Sequence, residues 1–230
     1  MKIFAMSDLH LSESSGKPMD VFGSRWKDHA EKMKKNWDNS LSNEDVMIIS
    51  GDISWALRFD EAMSDFQWIH ERPGLKLITK GNHDLWWSSL KKLNDLYEDM
   101  VFIQNGCTVV GDTAVCGTRG WVLKQERQEW TEHDEKIYKR EQIRMKMALD
   151  AAAASGASRI ILSLHYPPTD RSGMDTAFTE LIGQYPVSRV LYGHLHGEDA
   201  VLHAYNGSKN GIVYSLVSSD YLGFTPKRIL

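Results

Sequence analysis

The chain has 230 residues, of which 42% are hydrophobic and 25% are charged, a composition typical of a globular protein with a real core. A net charge of −4 provides no overall attraction to nucleic acid or to an anionic membrane. Two cysteines, Cys107 and Cys116, exclude a disulfide framework. The opening residues lack an apolar signal-peptide core, and no run of about 18 apolar residues occurs, so we expect a soluble cytoplasmic protein.

The first hundred residues alternate between short apolar runs and amphipathic segments. Trp26, Ala30, Met33, Trp37 and Leu41, for example, recur at helical spacing. This alternation predicts strands at 2–6, 46–50 and 75–79 and helices at 26–41, 59–71 and 86–97.

The sequence pattern changes at residue 100. Two turn signals, Asn105-Gly106 and Gly111-Asp112, lie within the β-rich stretch 100–120, which predicts an antiparallel meander. Further along we predict helices at 131–155 and 175–184, strands at 159–164 and 188–193, and a hairpin in the tail that includes "AVLHAY" (200–205). These patterns indicate two packed sheets with helices outside, in one domain over 1–230. The polar segment 122–150 is either a cap inserted over a site or a plain exterior helix.

Polar residues follow five of the predicted strands at the point where each strand ends. Because ligands bind at the carboxyl ends of strands in α/β sheets, we expect these side chains to lie close together. They are Asp8 and His10, then Asp52, then Asn82, His83 and Asp84, then His165, and finally His194 and His196.

The chemistry of this set indicates a metal centre. Imidazole, carboxylate and amide donors suit manganese, iron or zinc better than copper(I) or an iron–sulfur cluster. Asp8-x-His10 and His194-x-His196 are i, i+2 pairs, which point to one side if the backbone is extended. The set is large enough for two ions that share one carboxylate.

The joint pattern resembles that of the calcineurin-like metallophosphoesterases. Its blocks are "DLH" (8–10), "GDI" (51–53), "GNHD" (81–84), "LHYPP" (164–168) and "GHLHG" (193–197), in the family's order. The resemblance spans residues 8–197. It implies a four-layer α/β/β/α sandwich of two mixed sheets with a dinuclear metal site.

The resemblance also implies a role for each residue. Asp8, His10, Asp52 and His196 would hold the first ion, and Asp52, Asn82, His165 and His194 the second. The ions would be manganese, iron or zinc, with nickel or magnesium as alternatives, and would activate a bridging hydroxide that attacks phosphorus. His83 would face the phosphate and assist the leaving group, and Asp84 would orient His83.

The substrate is less determined by the sequence. A small, nucleotide-like phosphate monoester or diester is our expectation, with a polynucleotide or a non-catalytic scaffold on the same fold as alternatives. Trp55, Trp86 and Arg119 are candidate substrate contacts, although each is also consistent with a structural role. His29 is interpreted as a solvated helix residue. The sequence does not predict an oligomeric state.

Overall fold

The computed structural model describes residues 1–230, except for the side chain of residue 201. The strands are β1 (Ile3–Met6), β2 (Val46–Ser50), β3 (Leu75–Thr79), β4 (Met100–Ile103), β5 (Gly106–Val110), β6 (Thr113–Thr118), β7 (Arg159–Leu164), β8 (Val187–Tyr192), β9 (Gly207–Lys209), β10 (Ile212–Leu216) and β11 (Lys227–Arg228). The helices are α1 (His29–Ser40), α2 (Met63–His70), α3 (Leu90–Asn94), α4 (Glu132–Ala154), α5 (Ala177–Ile182) and α6 (Gly197–His203).

Both sheets are mixed. The first has the order β11-β1-β2-β3-β4, in which β1 to β4 are parallel and β11 is antiparallel to β1. The second has the order β5-β6-β7-β8-β10-β9, with antiparallel strands β5 and β9 at its edges. The central parallel strands are buried on both faces, which explains why their sequences are continuous apolar runs.

The two sheets pack face to face, and helices cover their outer faces. Ile48 and Leu77 of the first sheet meet Ile161 and Leu191 of the second in the core between the sheets. Helices α1, α2 and α3 pack on the first sheet, and α4 and α5 pack on the second. The structure therefore confirms the predicted four-layer sandwich.

Two sequence predictions in the β-rich regions are wrong. Met100–Ile103 does not begin a meander, because β4 lies parallel to β3 in the first sheet and only β5 and β6 form a hairpin. The stretch "AVLHAY" is not a strand, because residues 200–203 belong to α6. Such a short apolar run has no periodicity that distinguishes helix from strand.

Segment 122–150 contributes most of α4. Thr131 caps this helix through a reciprocal capping box with Asp134. Met145 and Leu149 face the second sheet, so the helix lies on the exterior of the sandwich. Within the described residues, no helix combines the length and the apolar character needed to cross a bilayer.

The Asp45 carboxylate joins the starts of the first two parallel strands. It accepts hydrogen bonds from the Lys2 amide at 2.7 Å and from the Ser42 amide at 3.0 Å, and these donors lower its pKa to about 2. Since the folded-state pKa lies below the unfolded value, this stabilisation is present above about pH 4 and disappears as the pH falls toward 2.

Asp45→Ala should lower the free energy of unfolding by about 1–3 kcal/mol at pH 7, because two backbone amides lose their hydrogen bonds to a charged acceptor. The difference from wild type should shrink at pH 3. Urea unfolding at both pH values measures it, with exposed Asp60→Ala as the control that leaves stability unchanged. An equal loss for Asp45→Ala at both pH values would contradict this account.

Candidate metal centre

The predicted ligands come together where strands of both sheets end. Loops after β1, β2 and β3 reach the centre from the first sheet, and loops after β7 and β8 reach it from the second. Asp8, Asp52 and His165 are almost completely buried there. The centre therefore bridges the two sheets.

One group of donors consists of Asp8, His10 and His196. The His196 Nε2 atom lies 3.3 Å from Asp8 Oδ1 and 3.4 Å from His10 Nε2. These three donor atoms come from the ends of β1 and β8, so they surround one potential ion site. The group contains three of the four ligands predicted for the first ion.

A second group consists of Asp8, Asp52 and His165. His165 Nε2 lies 3.3 Å from Asp52 Oδ2 and 2.8 Å from Asn82 Oδ1. The resemblance implies Asp52 as the shared carboxylate, whereas the two donor groups share Asp8. Asp52 nevertheless also lies between them, because its Oδ2 atom is 4.0 Å from His10 Nε2.

Four of these residues adopt a left-handed backbone conformation. Asp8, His10, Asp52 and His194 have φ values of 59°, 46°, 53° and 73°. The premise that the two i, i+2 pairs lie in extended backbone is therefore wrong, since only His196 is extended. Non-glycine residues in this region are strained, and such strain is concentrated at functional sites.

Two glycines allow their loops to approach the Asp52 and Asp8 carboxylates closely. A Cβ atom on Gly81 would lie 2.1 Å from Asp52 Oδ1, and one on Gly193 would lie 2.3 Å from Asp8 Oδ2. Both contacts are far shorter than van der Waals distance. The glycines before Asn82 and His194 are therefore required by the position of the two carboxylates.

Hydrogen bonds fix the orientation of two imidazoles. His165 Nδ1 donates to the Ser50 carbonyl at 3.0 Å, and His196 Nδ1 donates to Asp220 Oδ1 at 2.9 Å. In each ring the Nε2 atom is left to face the donor groups, as in metal-ligating histidines.

Asp220 is a functional residue that the sequence analysis missed. It is buried and also accepts the Gly197 amide at 2.9 Å. The signal was present, because Asp220 follows the apolar run that forms β10 just as Asp8 follows β1. His29 was also misinterpreted, since it is buried and donates to the His10 carbonyl at 3.2 Å.

Burial and the attraction between opposite charges have opposite effects on the pKa values of these groups. Burial lowers the pKa of His10 to about 4 and that of His194 to about 3, which keeps both rings neutral. Burial also disfavours charge on His165 and His196, but the aspartates outweigh it and raise these pKa values to about 9 and about 10. His196 in turn lowers the pKa of Asp8 against the effect of burial.

The residues present fit divalent metal ions. Carboxylate, imidazole and amide atoms converge without any cysteine, the donor set that suits manganese, iron or zinc. His10 Nδ1 is buried and has no hydrogen-bond partner within the described residues. A bound divalent ion would replace the positive charge that His165 and His196 otherwise supply to the two buried carboxylates.

His83 and Asp84 take different positions beside this centre. The His83 amide donates to Asp52 Oδ1 at 2.8 Å, and its ring lies 5.7 Å from that of His10. The Asp84 carboxylate accepts the amides of Gly81 and Ile53 at 2.7 and 2.8 Å. Its described contacts thus hold the loop backbones together, and none is with the His83 ring.

Only one of the three candidate substrate residues lies beside the centre. Trp55 lies beside the centre, with its ring stacked on His10 at 4.8 Å. Trp86 is a core residue, because it is 2% exposed and packs against Phe66. The Arg119 guanidinium lies over the Trp121 ring at 4.7 Å, while its carbonyl accepts the His165 amide. The structure therefore favours Trp55 alone.

A cavity of about 430 Å³ opens directly onto the side chains of the two donor groups. One side of its wall consists of polar residues of the centre, and the other is apolar and aromatic. The lining residues are His10, Asp52, His83, His194, His196 and Gly197 on the first side and Met19, Phe22, Trp26 and Trp55 on the second.

The fold and the centre together place the chain in a class of α/β proteins that have two packed mixed sheets and an Asp/His centre at the strand ends. The family described as Calcineurin-like phosphoesterase matches residues 1–198. The chain therefore belongs to the calcineurin-like phosphoesterases, a family of hydrolases that act on phosphoester bonds, as the sequence motifs predicted.

Individual relatives are distant. The chain is 31% identical over 78 residues to the Gene 66 protein of Mycobacterium phage L5, a match that covers 34% of this chain and 37% of that protein. Among solved structures, the phosphopantetheinyl hydrolase of Mycobacterium tuberculosis superposes with a TM-score of 0.53 at 17% identity, covering 100% of this chain and 95% of that one. The Aquifex aeolicus protein AQ665, of unknown function, gives 0.52 at 14%, covering 99% and 95%. These two likenesses support the fold.

Asp220→Asn should weaken metal binding by about 10- to 100-fold, because His196 loses the carboxylate that fixes its ring. Calorimetric titration of the metal-free protein with Mn²⁺ measures the effect. Asp199→Asn, an exposed carboxylate on α6, is the matched control and should bind manganese like wild type. Unchanged affinity in Asp220→Asn would show that His196 needs no such support.

Gly81→Ala should displace Asp52 and deplete the bound metal, since the new methyl group would overlap the carboxylate. Elemental analysis by mass spectrometry after loading with Mn²⁺ gives the metal content, and circular dichroism checks folding. Gly106→Ala is the control, because its Cβ would meet only one atom, at 4.0 Å. Full metal content in folded Gly81→Ala would refute the steric argument.

Proposed function

We propose that this chain is a metal-dependent phosphoesterase that hydrolyses phosphomonoesters or phosphodiesters. The observation that carries the proposal is the convergence of two Asp/His donor groups at one wall of an open cavity. Family membership supports the reaction class, and we propose that residues 1–230 act as one catalytic domain.

The proposed ligand assignment combines the two donor groups with the family's motif positions. Asp8, His10 and His196 would hold one ion, and His165, Asn82 and His194 the other, with Asp52 and Asp8 between them. Manganese, iron or zinc are proposed, with nickel or magnesium as alternatives. When bound, such ions supply positive charge for the phosphate and a water molecule that is acidic enough to act near neutral pH.

His83 is the proposed catalytic side chain that is not a metal ligand. Its ring lines the cavity, and its amide is tied to Asp52, so it faces a phosphate held at the centre. Burial lowers the pKa of His83, and a bound phosphate, being anionic, would favour the protonated imidazole that donates to the leaving oxygen or to a developing charge on the phosphoryl group. Asp84 supports it indirectly by fixing the backbone on either side of the centre.

The cavity favours a small ester, and we propose a nucleotide-like substrate. Its volume matches that of small-molecule sites, and within the part of the chain that the structure describes its lining contains no lysine or arginine, although the Lys17 ammonium lies over the Trp55 ring. A polynucleotide would require cations that follow its backbone, so a nuclease is the less favoured alternative. The family's motif positions are all intact, which argues against a non-catalytic scaffold. We also propose a cytoplasmic location.

The proposal is tested by hydrolysis of p-nitrophenyl phosphate, bis-p-nitrophenyl phosphate and a nucleotide panel. Each assay is run with metal-free protein and after addition of Mn²⁺, Fe²⁺, Zn²⁺, Ni²⁺ or Mg²⁺. We expect turnover only with added metal. If no ester is hydrolysed with any of these metals, the phosphoesterase proposal fails.

His83→Ala should retain its metal but lose about 10²- to 10⁴-fold in kcat, the usual contribution of a general acid. The loss should be largest for esters with poor leaving groups, which depend most on protonation. His70→Ala, whose ring binds Asp99 away from the centre, is the control. A His83→Ala protein that lost its metal would show instead that His83 helps to build the centre.

A further inference from the structure

Three of the four apolar residues of the cavity wall lie between His10 and α1, where the sequence analysis placed only Trp26, in the predicted helix 26–41. Met19, Phe22 and Trp26 lie between β1 and α1, and they face the metal ligands across the cavity. Met19 and Trp26 are buried, but Phe22 is 57% exposed. A single exposed ring is common on protein surfaces, but Phe22 lines a cavity together with other apolar residues and opposite polar ones, an arrangement typical of ligand sites.

Phe22 and Trp55 form a pair of rings that we name the aromatic shelf. Their planes are almost parallel, with an angle of 9° and a centroid separation of 6.3 Å. The Trp55 ring also stacks on His10 and lies 4.3 Å from His83. The aromatic shelf therefore begins beside the metal ligands and extends outward to Phe22.

The contacts of Trp55 hold the shelf in place and limit what it can recognise. The indole N–H donates to Met19 Sδ at 2.9 Å, and the Lys17 ammonium lies 3.2 Å from the ring centroid. With His10 stacked on Trp55 and the Lys17 ammonium over its ring, the free ring surface of the shelf is that of Phe22, which has no polar atom and offers no pattern of hydrogen bonds. Such a surface accepts any flat ring.

We propose that the aromatic shelf binds the organic group of the substrate and selects phosphate esters that carry a planar aromatic ring, either a nucleobase or an aryl group. This inference rests on the proposed phosphoesterase function, since the phosphate is placed at the donor groups. Phe22 is then a specificity-determining residue, and alkyl or simple sugar phosphates lack the group that it contacts.

Two matched pairs of compounds test this specificity with the manganese-loaded full chain. Adenosine 5′-monophosphate and ribose 5-phosphate share a leaving-group type and a charge and differ in the base. Phenylphosphonate and methylphosphonate are uncleavable and differ in the ring. We expect wild type to prefer the ring-bearing member, measured as kcat/KM for the first pair and as inhibition constants for the second.

Phe22→Ala should reduce that preference by about 5- to 30-fold, in line with the loss of one stacking partner. Phe22→Tyr should keep it and Phe22→Leu should lose it, because only tyrosine retains a ring. Val21→Ala is the matched control, since Val21 is 69% exposed on the same loop and does not line the cavity. A preference in the nucleotide pair identifies a base, and one in the phosphonate pair alone identifies an aryl group.

Three results would overturn the inference: equal treatment of both members in both pairs by wild type, an equal effect of Val21→Ala and Phe22→Ala, or an intact preference in Phe22→Leu. Titration of tryptophan fluorescence with the two phosphonates provides a measurement without turnover. If wild type hydrolyses no ester but still binds phenylphosphonate through Phe22, the proposed phosphoesterase function is wrong, whereas the ring-binding role of the aromatic shelf is supported. If it hydrolyses esters without any preference for a ring, the phosphoesterase function stands and only the inferred role of the aromatic shelf is wrong.

Discussion

The burial of two carboxylates, Asp8 and Asp52, is the constraint on which the rest of the centre depends. A buried charge without a partner costs several kcal/mol, so these groups require positive charge and hydrogen-bond donors at close range. The chain supplies backbone amides and the rings of His165 and His196. The left-handed residues and the tight glycines follow from this requirement, because ordinary loop conformations could not bring so many donors to two carboxylates.

The same requirement explains why two sheets are needed. Asp8 and Asp52 end strands of the first sheet, whereas His165 and His196 come from the second, so neither sheet can complete the centre alone. Below it, Ser163 of β7 bonds to Ser50 at 2.9 Å and to Thr79 at 3.0 Å. These hydroxyl groups join the sheets beneath the metal ligands, where the core between the sheets would otherwise be purely apolar.

The sequence predicted what depends on local patterns. Buried parallel strands are apolar runs, so β1, β2, β3 and β7 could be located, and the polar residues after them marked the centre. Partners chosen by tertiary packing could not be found in this way. Trp86 follows the "GNHD" block like a site residue yet packs on Phe66, and His29 has helical neighbours yet bonds to the His10 carbonyl. Asp220 follows the end of an apolar strand, as the other residues of the centre do, but the sequence analysis overlooked it.

The sequence was least informative about the segment between His10 and α1. Before Trp26 its residues have no helical periodicity, whereas the charged segment 122–150 was predicted to be either a cap or a plain exterior helix. In the structure α4 covers the outside of the second sheet, and the irregular loop lines the cavity. The physical reason is that reaction chemistry requires fixed strand ends, while contacts with the rest of a substrate need only a surface at the right distance, which a loop can supply without a regular pattern. An exposed phenylalanine in such a loop is informative only once the candidate metal ligands opposite it have been located.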